Sequence, residues 1–267
     1  MHRLSILGKQ GQSISVVACG QGPMLMLLHG FPLDHRMWSE QLHTLSQDYH
    51  VIAPEFRGFG QSTLADAPYT LADLAEDVEC VRQHLANQQQ IHLCGLSMGG
   101  YVALEYVARF GNHLGSLILS NTKPNADNAE ASAGRLAMAD VARAEGAQAA
   151  LQGFSDRILG PTSREERPQV VSLVHQMLRS ASAEAVARAQ HAMAVRRDFC
   201  ESLGGFSWPT LVVAGDEDAL CPLDATRDWS RRIPKAQLAI IERCGHLSPL
   251  ESPQAFNSRV LQFLHSI

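Results

Sequence analysis

The sequence predicts an α/β fold: a mostly parallel sheet of about eight strands covered by helices on both faces, with an antiparallel edge and an inserted helical cap. Three observations carry this. Short, continuously apolar segments alternate with stretches of helical periodicity; the first two apolar segments form a pair without a helix between them; and the strand signal stops between about Asn121 and Phe199.

In chain order, a strand pair is expected at Leu4 to Leu7 and Ile14 to Val17. Buried strands follow at Met24 to Leu28, Val51 to Ala53, Ile91 to Cys94, Leu117 to Leu119, Leu211 to Ala214 and Leu238 to Ile241. Leu71, Leu74, Val78, Val81 and Leu85 recur at helical spacing, and a second helix is expected from Tyr101 to Phe110. The strandless stretch is rich in Ala, Arg and Glu, with breaks expected at Gly134, Gly153, Gly160-Pro161 and Pro168. At roughly eighty residues it is too long for one crossover, so it reads as an insertion within a single domain. Residues 1–120 and 201–267 then form the two parts of the core, and 121–200 the cap.

With 267 residues and 45% hydrophobic content, the chain can bury a large core without a staple. Twenty-two Lys and Arg against 27 Asp and Glu give a net charge of −5 with no basic run, which points away from nucleic acid and anionic membranes and toward a small-molecule partner. The longest apolar run, Met24 to Leu28, is too short to span a bilayer, and the first residues lack a signal-peptide core, so a cytoplasmic location is expected. The six cysteines show no Cys-x-x-Cys spacing; they read as mostly buried thiols and not as a metal or redox site.

Gly95-Leu96-Ser97-Met98-Gly99-Gly100 directly follows the strand Ile91 to Cys94 and directly precedes a helix. A strand that turns sharply into a helix forces its central residue into a strained conformation, and flanking glycines give the backbone room to turn. Ser97 is thereby presented outward at a helix N-terminus, as a nucleophile elbow requires. A serine hydroxyl is a poor nucleophile until a base takes its proton, and that base needs an orienting group. The acid candidate is Asp218, in Gly215-Asp216-Glu217-Asp218 at the end of the strand Leu211 to Ala214; Asp216 and Glu217 read as a solvated acidic turn. The base candidate is His246, which follows Gly245 in the loop after the last strand. Acyl transfer also needs two donors for the oxyanion, and the backbone N–H groups of Met98 and of Phe31, in the loop after the third strand, are in place for this. His29 in that loop reads as a structural hydrogen-bonding residue. Trp38, Leu220 and Leu247 adjoin these motifs and are candidate pocket walls, with plain packing as the alternative. Cap residues including Leu136, Met138, Val141, Leu151, Phe154, Ile158, Leu173, Met177 and Leu178 are apolar, and some of them are expected to face the pocket.

Through His29-Gly30-Phe31-Pro32, Gly58-Phe59-Gly60-Gln61-Ser62, the Ser97 elbow, the Gly215 to Asp218 to Pro222 spacing and Gly245-His246, the whole chain resembles the α/β-hydrolase superfamily. Its cap after the sixth strand is similar to that of esterases and 3-oxoadipate enol-lactonases. The resemblance implies a serine hydrolase of small carboxylic esters or lactones that works through an acyl-enzyme without metal or organic cofactor. Thioester hydrolysis, carbon–carbon bond hydrolysis and perhydrolase activity use the same triad and stay open. So does a ligand receptor on the same fold, although a pure binder has no need of Ser97, Asp218 and His246 together. A serine at the elbow excludes the haloalkane dehalogenase and epoxide hydrolase members, which use aspartate there. One departure is Glu55, where the family usually has Asp; it bears on loop hydrogen bonding and leaves the triad untouched.

Overall fold

The computed structural model describes residues 1–85 and 90–267. Eight strands form one sheet: β1 His2–Leu7, β2 Ser13–Cys19, β3 Met24–Leu28, β4 His50–Pro54, β5 Ile91–Leu96, β6 Leu114–Ser120, β7 Thr210–Gly215 and β8 Ala236–Ile241. Their order is β1-β2-β4-β3-β5-β6-β7-β8. The β1–β2 and β2–β4 pairings are antiparallel and all the others parallel. Every residue of β3 and β7 is buried, because helices cover both faces there, whereas β8 at the edge has Gln237 and Leu238 exposed.

The helices are α1 Ser39–Thr44, α2 Leu71–Leu85, α3 Met98–Phe110, α4 Ala129–Glu145, α5 Ala147–Ala150, α6 Phe154–Ile158, α7 Pro161–Glu166, α8 Pro168–Ser180, α9 Ala183–Ala194, α10 Leu223–Ser230, α11 Ser248–Glu251 and α12 Pro253–Leu264. Six of these, α4 to α9, lie between β6 and β7, where the strand signal stops. Three of the expected helix breaks coincide with boundaries: Gly153 precedes α6 in a left-handed conformation, Pro161 opens α7 and Pro168 opens α8. Gly134 does not break a helix. It sits inside α4 facing open space, and α4 continues because its Ala139 and Ala142 are buried and it packs along α9. Packing of that kind outweighs the roughly 1 kcal/mol that a mid-helix glycine costs relative to alanine. The turn comes instead at Gly146, with φ of 93°. No helix among the described residues is long and apolar enough to cross a membrane.

Chain order reverses at β3: β4 lies on one side of it and β5 on the other. In an open α/β sheet this switch point leaves a crevice at the carboxyl ends of the strands. The β3 loop with Phe31 and the β5 turn with Ser97 both open into it, since Leu28 and Gly95 are register partners.

Glu55, the departure from the family pattern, anchors the loop after β4. Its buried carboxylate accepts hydrogen bonds from Arg3 Nη1 (2.9 Å) and the Gln61 N–H (2.8 Å) and pairs with His35 Nδ1 (2.5 Å). Burial pushes its pKa up, but the bonds from His35, Gln61 and Ser15 win and lower it to about 2. A carboxyl whose pKa is depressed on folding stabilises above its unfolded value and loses that contribution as pH falls through the folded one. Glu55→Ala is therefore expected to destabilise by about 3 kcal/mol at neutral pH, because it removes a buried carboxylate whose ionised form the fold favours. The gap in urea midpoint between variant and parent should close as pH falls from about 4.5 toward 2. An equal gap throughout that range would contradict the assignment.

Candidate active site

Ser97 separates β5 from α3 with φ of 54° and ψ of −115°, a region that residues carrying a Cβ rarely occupy. Strain of this kind costs on the order of 1–3 kcal/mol and persists only where the surroundings impose it. Here they do. The Ser97 N–H donates to Ser120 O (3.1 Å), and its carbonyl accepts from Gly100 N–H (2.9 Å) and Thr122 Oγ1 (2.8 Å). A Cβ on Gly95 would lie 2.2 Å from Gly99 O, and one on Gly99 would lie 2.2 Å from Leu28 O, so only glycine lets α3 approach the sheet this closely. Met98 is buried at the first position of α3, where backbone N–H groups lack intrahelical acceptors.

Asp218 and His246, from the loops after β7 and β8, form a buried pair: His246 Nδ1 lies 2.8 Å from Asp218 Oδ2 and 3.0 Å from Oδ1. An ionised carboxylate only accepts, so Nδ1 carries the proton and Nε2 is left with its lone pair. The Asp218 carboxylate also accepts from the N–H groups of Leu220 (2.9 Å) and Cys221 (3.0 Å) and from Asn121 Nδ2 (3.0 Å). Burial raises its pKa, yet the His246 charge and these donors hold it below the usual carboxylate range. For His246 burial favours the neutral ring, and the adjacent Asp218 charge and hydrogen bond overcome this and raise its pKa.

Ser97 and His246 line one cavity of about 500 Å³. Phe31, Leu220 and Cys221 join them from the core, and Met138, Phe154, Ile158 and Met193 from the helices between β6 and β7. Phe31 meets Phe154 edge to face, with ring centroids 5.7 Å apart, so one of the loops expected to supply an oxyanion donor is braced by a helix from between β6 and β7. The cavity has a polar side as well. Lys123, Glu130 and Arg157 line it, as does Asp127, which is ion-paired to Arg135 and, at 2.7 Å, to Arg196.

Of the three candidate pocket walls, Leu220 lines the cavity and the other two do not. Trp38 is fully buried against Phe256, with ring centroids 6.0 Å apart, and Leu247 is buried where α11 begins. Both adjoin motif residues in sequence, but each directs its apolar bulk into the core. His29 is structural: Nε2 accepts from Phe56 N–H (2.9 Å), Nδ1 donates to Gly30 O (3.0 Å), and burial lowers its pKa. Glu217 is more than a solvated turn residue, because it accepts from the N–H (3.0 Å) and hydroxyl (2.5 Å) of Thr162 in the helical insertion. All six cysteines are free; Cys94, Cys221 and Cys244 are buried and the other three partly exposed.

Sequence reasoning passed over Asn121. It sits at the end of β6 with φ of 45°, donating to Asp218 Oδ2 and to Gly245 O (3.1 Å) while its own oxygen accepts from Ser248 (2.6 Å). It thus braces both the acid loop and the histidine loop. The available signal was an asparagine at a strand end, a residue type enriched at positive φ.

A strained serine at the switch point and a carboxylate-held histidine on the same cavity define a hydrolase, and the chain belongs to the α/β hydrolase fold family, whose model matches residues 23–253. It is 30% identical to 3-oxoadipate enol-lactonase 1 of Acinetobacter baylyi, over 100% of this chain and 98% of that one. Among solved structures it is similar to a thermophilic esterase from Thermogutta terrifontis, with a TM-score of 0.96 and 33% identity over 100% of this chain and 99% of that one. The enol-lactonase from Burkholderia xenovorans LB400 superposes with a TM-score of 0.90 at 25% identity, over 98% of this chain and 100% of that one.

Proposed function

We propose that the protein hydrolyses a small carboxylic ester or lactone through an acyl-enzyme on Ser97. The observation that carries this reading is the buried Asp218–His246 pair on the same cavity as the strained Ser97. Ser97 Oγ attacks the carbonyl carbon while His246 Nε2 takes its proton, and the oxyanion forms against the N–H groups of Phe31 and Met98. The carbon–oxygen bond to the leaving group then breaks, and His246 returns the proton to the departing alkoxide. In the second half water attacks the acyl-enzyme, gives its proton to His246, and the acid leaves as Ser97 is restored. Nucleophile, base and oxyanion donors all come from the chain. Residues 121–200 act as the cap, and Met138, Phe154, Ile158 and Met193 set the shape of the acyl pocket. The esterase and enol-lactonase names of similar proteins support the same substrate class.

A fluorophosphonate probe, followed by mass spectrometry of the labelled peptide, tests the nucleophile; the label is expected on Ser97, and a label elsewhere overturns the mechanism. A panel of short esters, lactones, thioesters and diketones tests the substrate class. Turnover confined to thioesters or diketones would displace the ester or lactone reading while leaving the triad in place.

A further inference from the structure

Glu251 ends α11 with 2% of its surface exposed and does not line the cavity. Its carboxylate lies where two distant segments meet. Oε2 accepts from the N–H groups of Gly160 (2.9 Å) and Gly245 (3.0 Å), and Oε1 accepts from the N–H of Leu247 (2.8 Å). The N–H between the last two, that of His246, donates to Ile158 O (3.2 Å) at the end of α6. Three successive N–H groups centred on the histidine are therefore all held, two by Glu251 and one by the insertion. Nothing fits between the two segments: a Cβ on Gly245 would lie 2.1 Å from Gly160 N, and one on Gly160 would lie 2.8 Å from Gly245 N.

We propose that Glu251 is a positioning residue for His246, tying the histidine loop to residues 158–160 of the cap; this rests on the reading of His246 as the base. A carboxylate suits the task because both oxygens only accept, and charge-assisted bonds to N–H groups are shorter and stronger than neutral ones. Glutamine has the same shape but one acceptor oxygen. Whichever way its amide turns, an NH₂ faces either Leu247 or the pair Gly160 and Gly245, and the histidine loop shifts to relieve it. Small shifts of a reacting group are costly to rate, on the order of 100-fold for about 1 Å.

The test compares the full-length parent with Glu251→Gln, following p-nitrophenyl acetate turnover, the rate of Ser97 phosphonylation by a fluorophosphonate, and thermal unfolding. The variant is expected to unfold cooperatively, with kcat and the phosphonylation rate reduced together by about 10- to 100-fold and KM within about twofold of the parent. A carboxylate serving only the scaffold would not slow phosphonylation of the folded protein. Glu251→Asp keeps the charge and loses the reach, so it too is expected to lose rate; parental rates in either folded variant overturn the proposal, and so does failure of both to fold. If the parent's turnover survives Ser97→Ala, the serine mechanism is what fails, and that outcome is read separately.

Discussion

Ser97→Ala is expected to lower turnover of short p-nitrophenyl esters by on the order of 10⁵- to 10⁶-fold and to leave thermal unfolding close to that of the parent. The size of the effect follows from what the other groups do. In the proposed mechanism His246 and Asp218 act through the serine oxygen, so removing it silences all three, and residual rate comes only from substrate binding and the oxyanion donors. The small effect on stability follows from the backbone. Alanine keeps the Cβ and the same φ of 54°, and the bonds that hold the turn are made by the Ser97 N–H and carbonyl, which the substitution preserves. Parental turnover in Ser97→Ala would refute the nucleophile assignment.

Asp218→Asn should reduce kcat by on the order of 10⁴-fold and change the pH profile. Oδ1 of Asp218 faces two fixed donors, the N–H groups of Leu220 and Cys221, so an asparagine must keep its oxygen there. Its NH₂ then replaces Oδ2, the oxygen nearer His246 Nδ1 at 2.8 Å, which favours Nδ1 as an acceptor. The ring proton moves to Nε2, the atom that has to receive the serine proton, and the base is lost. In the parent the base form is the neutral ring, and Asp218 raises the His246 pKa against the pull of burial. Hence kcat/KM is expected to climb with pH to a midpoint above the ordinary histidine value of about 6.5. In Asp218→Asn the carboxylate charge no longer opposes burial and the midpoint falls. The same pair affects stability with a definite sign: a histidine whose pKa is raised on folding stabilises fully below its unfolded value, and that contribution is lost as pH rises through the folded one. Urea midpoints on either side of the His246 transition should show this loss in the parent and not in Asp218→Asn. An unshifted rate profile in the variant would mean that Asp218 does not orient the base.

The elements legible in the sequence were those written in local pattern. Apolar runs located β3 and β7 because a strand buried on both faces has no polar positions, and the Gly95 to Gly100 turn was readable because only glycine permits its close approaches. Asp218 and His246 were legible as candidates because each lies in the loop at the carboxyl end of a late strand, β7 or β8. Gly134 misled for the converse reason: its local preference is weak, and burial of Ala139 and Ala142 against α9 overrode it. Trp38 and Leu247 misled because adjacency to a motif does not say which way a side chain points.

Neighbouring residues in the chain thus carry the sheet, the elbow and the order Ser97, Asp218, His246, because strands and tight turns are set by residues only a few positions apart. Which side chains of α4 to α9 line the cavity, and how the histidine loop is held, depend on contacts between segments far apart in the chain: Phe31 with Phe154, Asn121 with Asp218 and Gly245, and Glu251 with Gly160. A buried carboxylate or amide is informative only through the donors that surround it, and folding alone brings those donors to it.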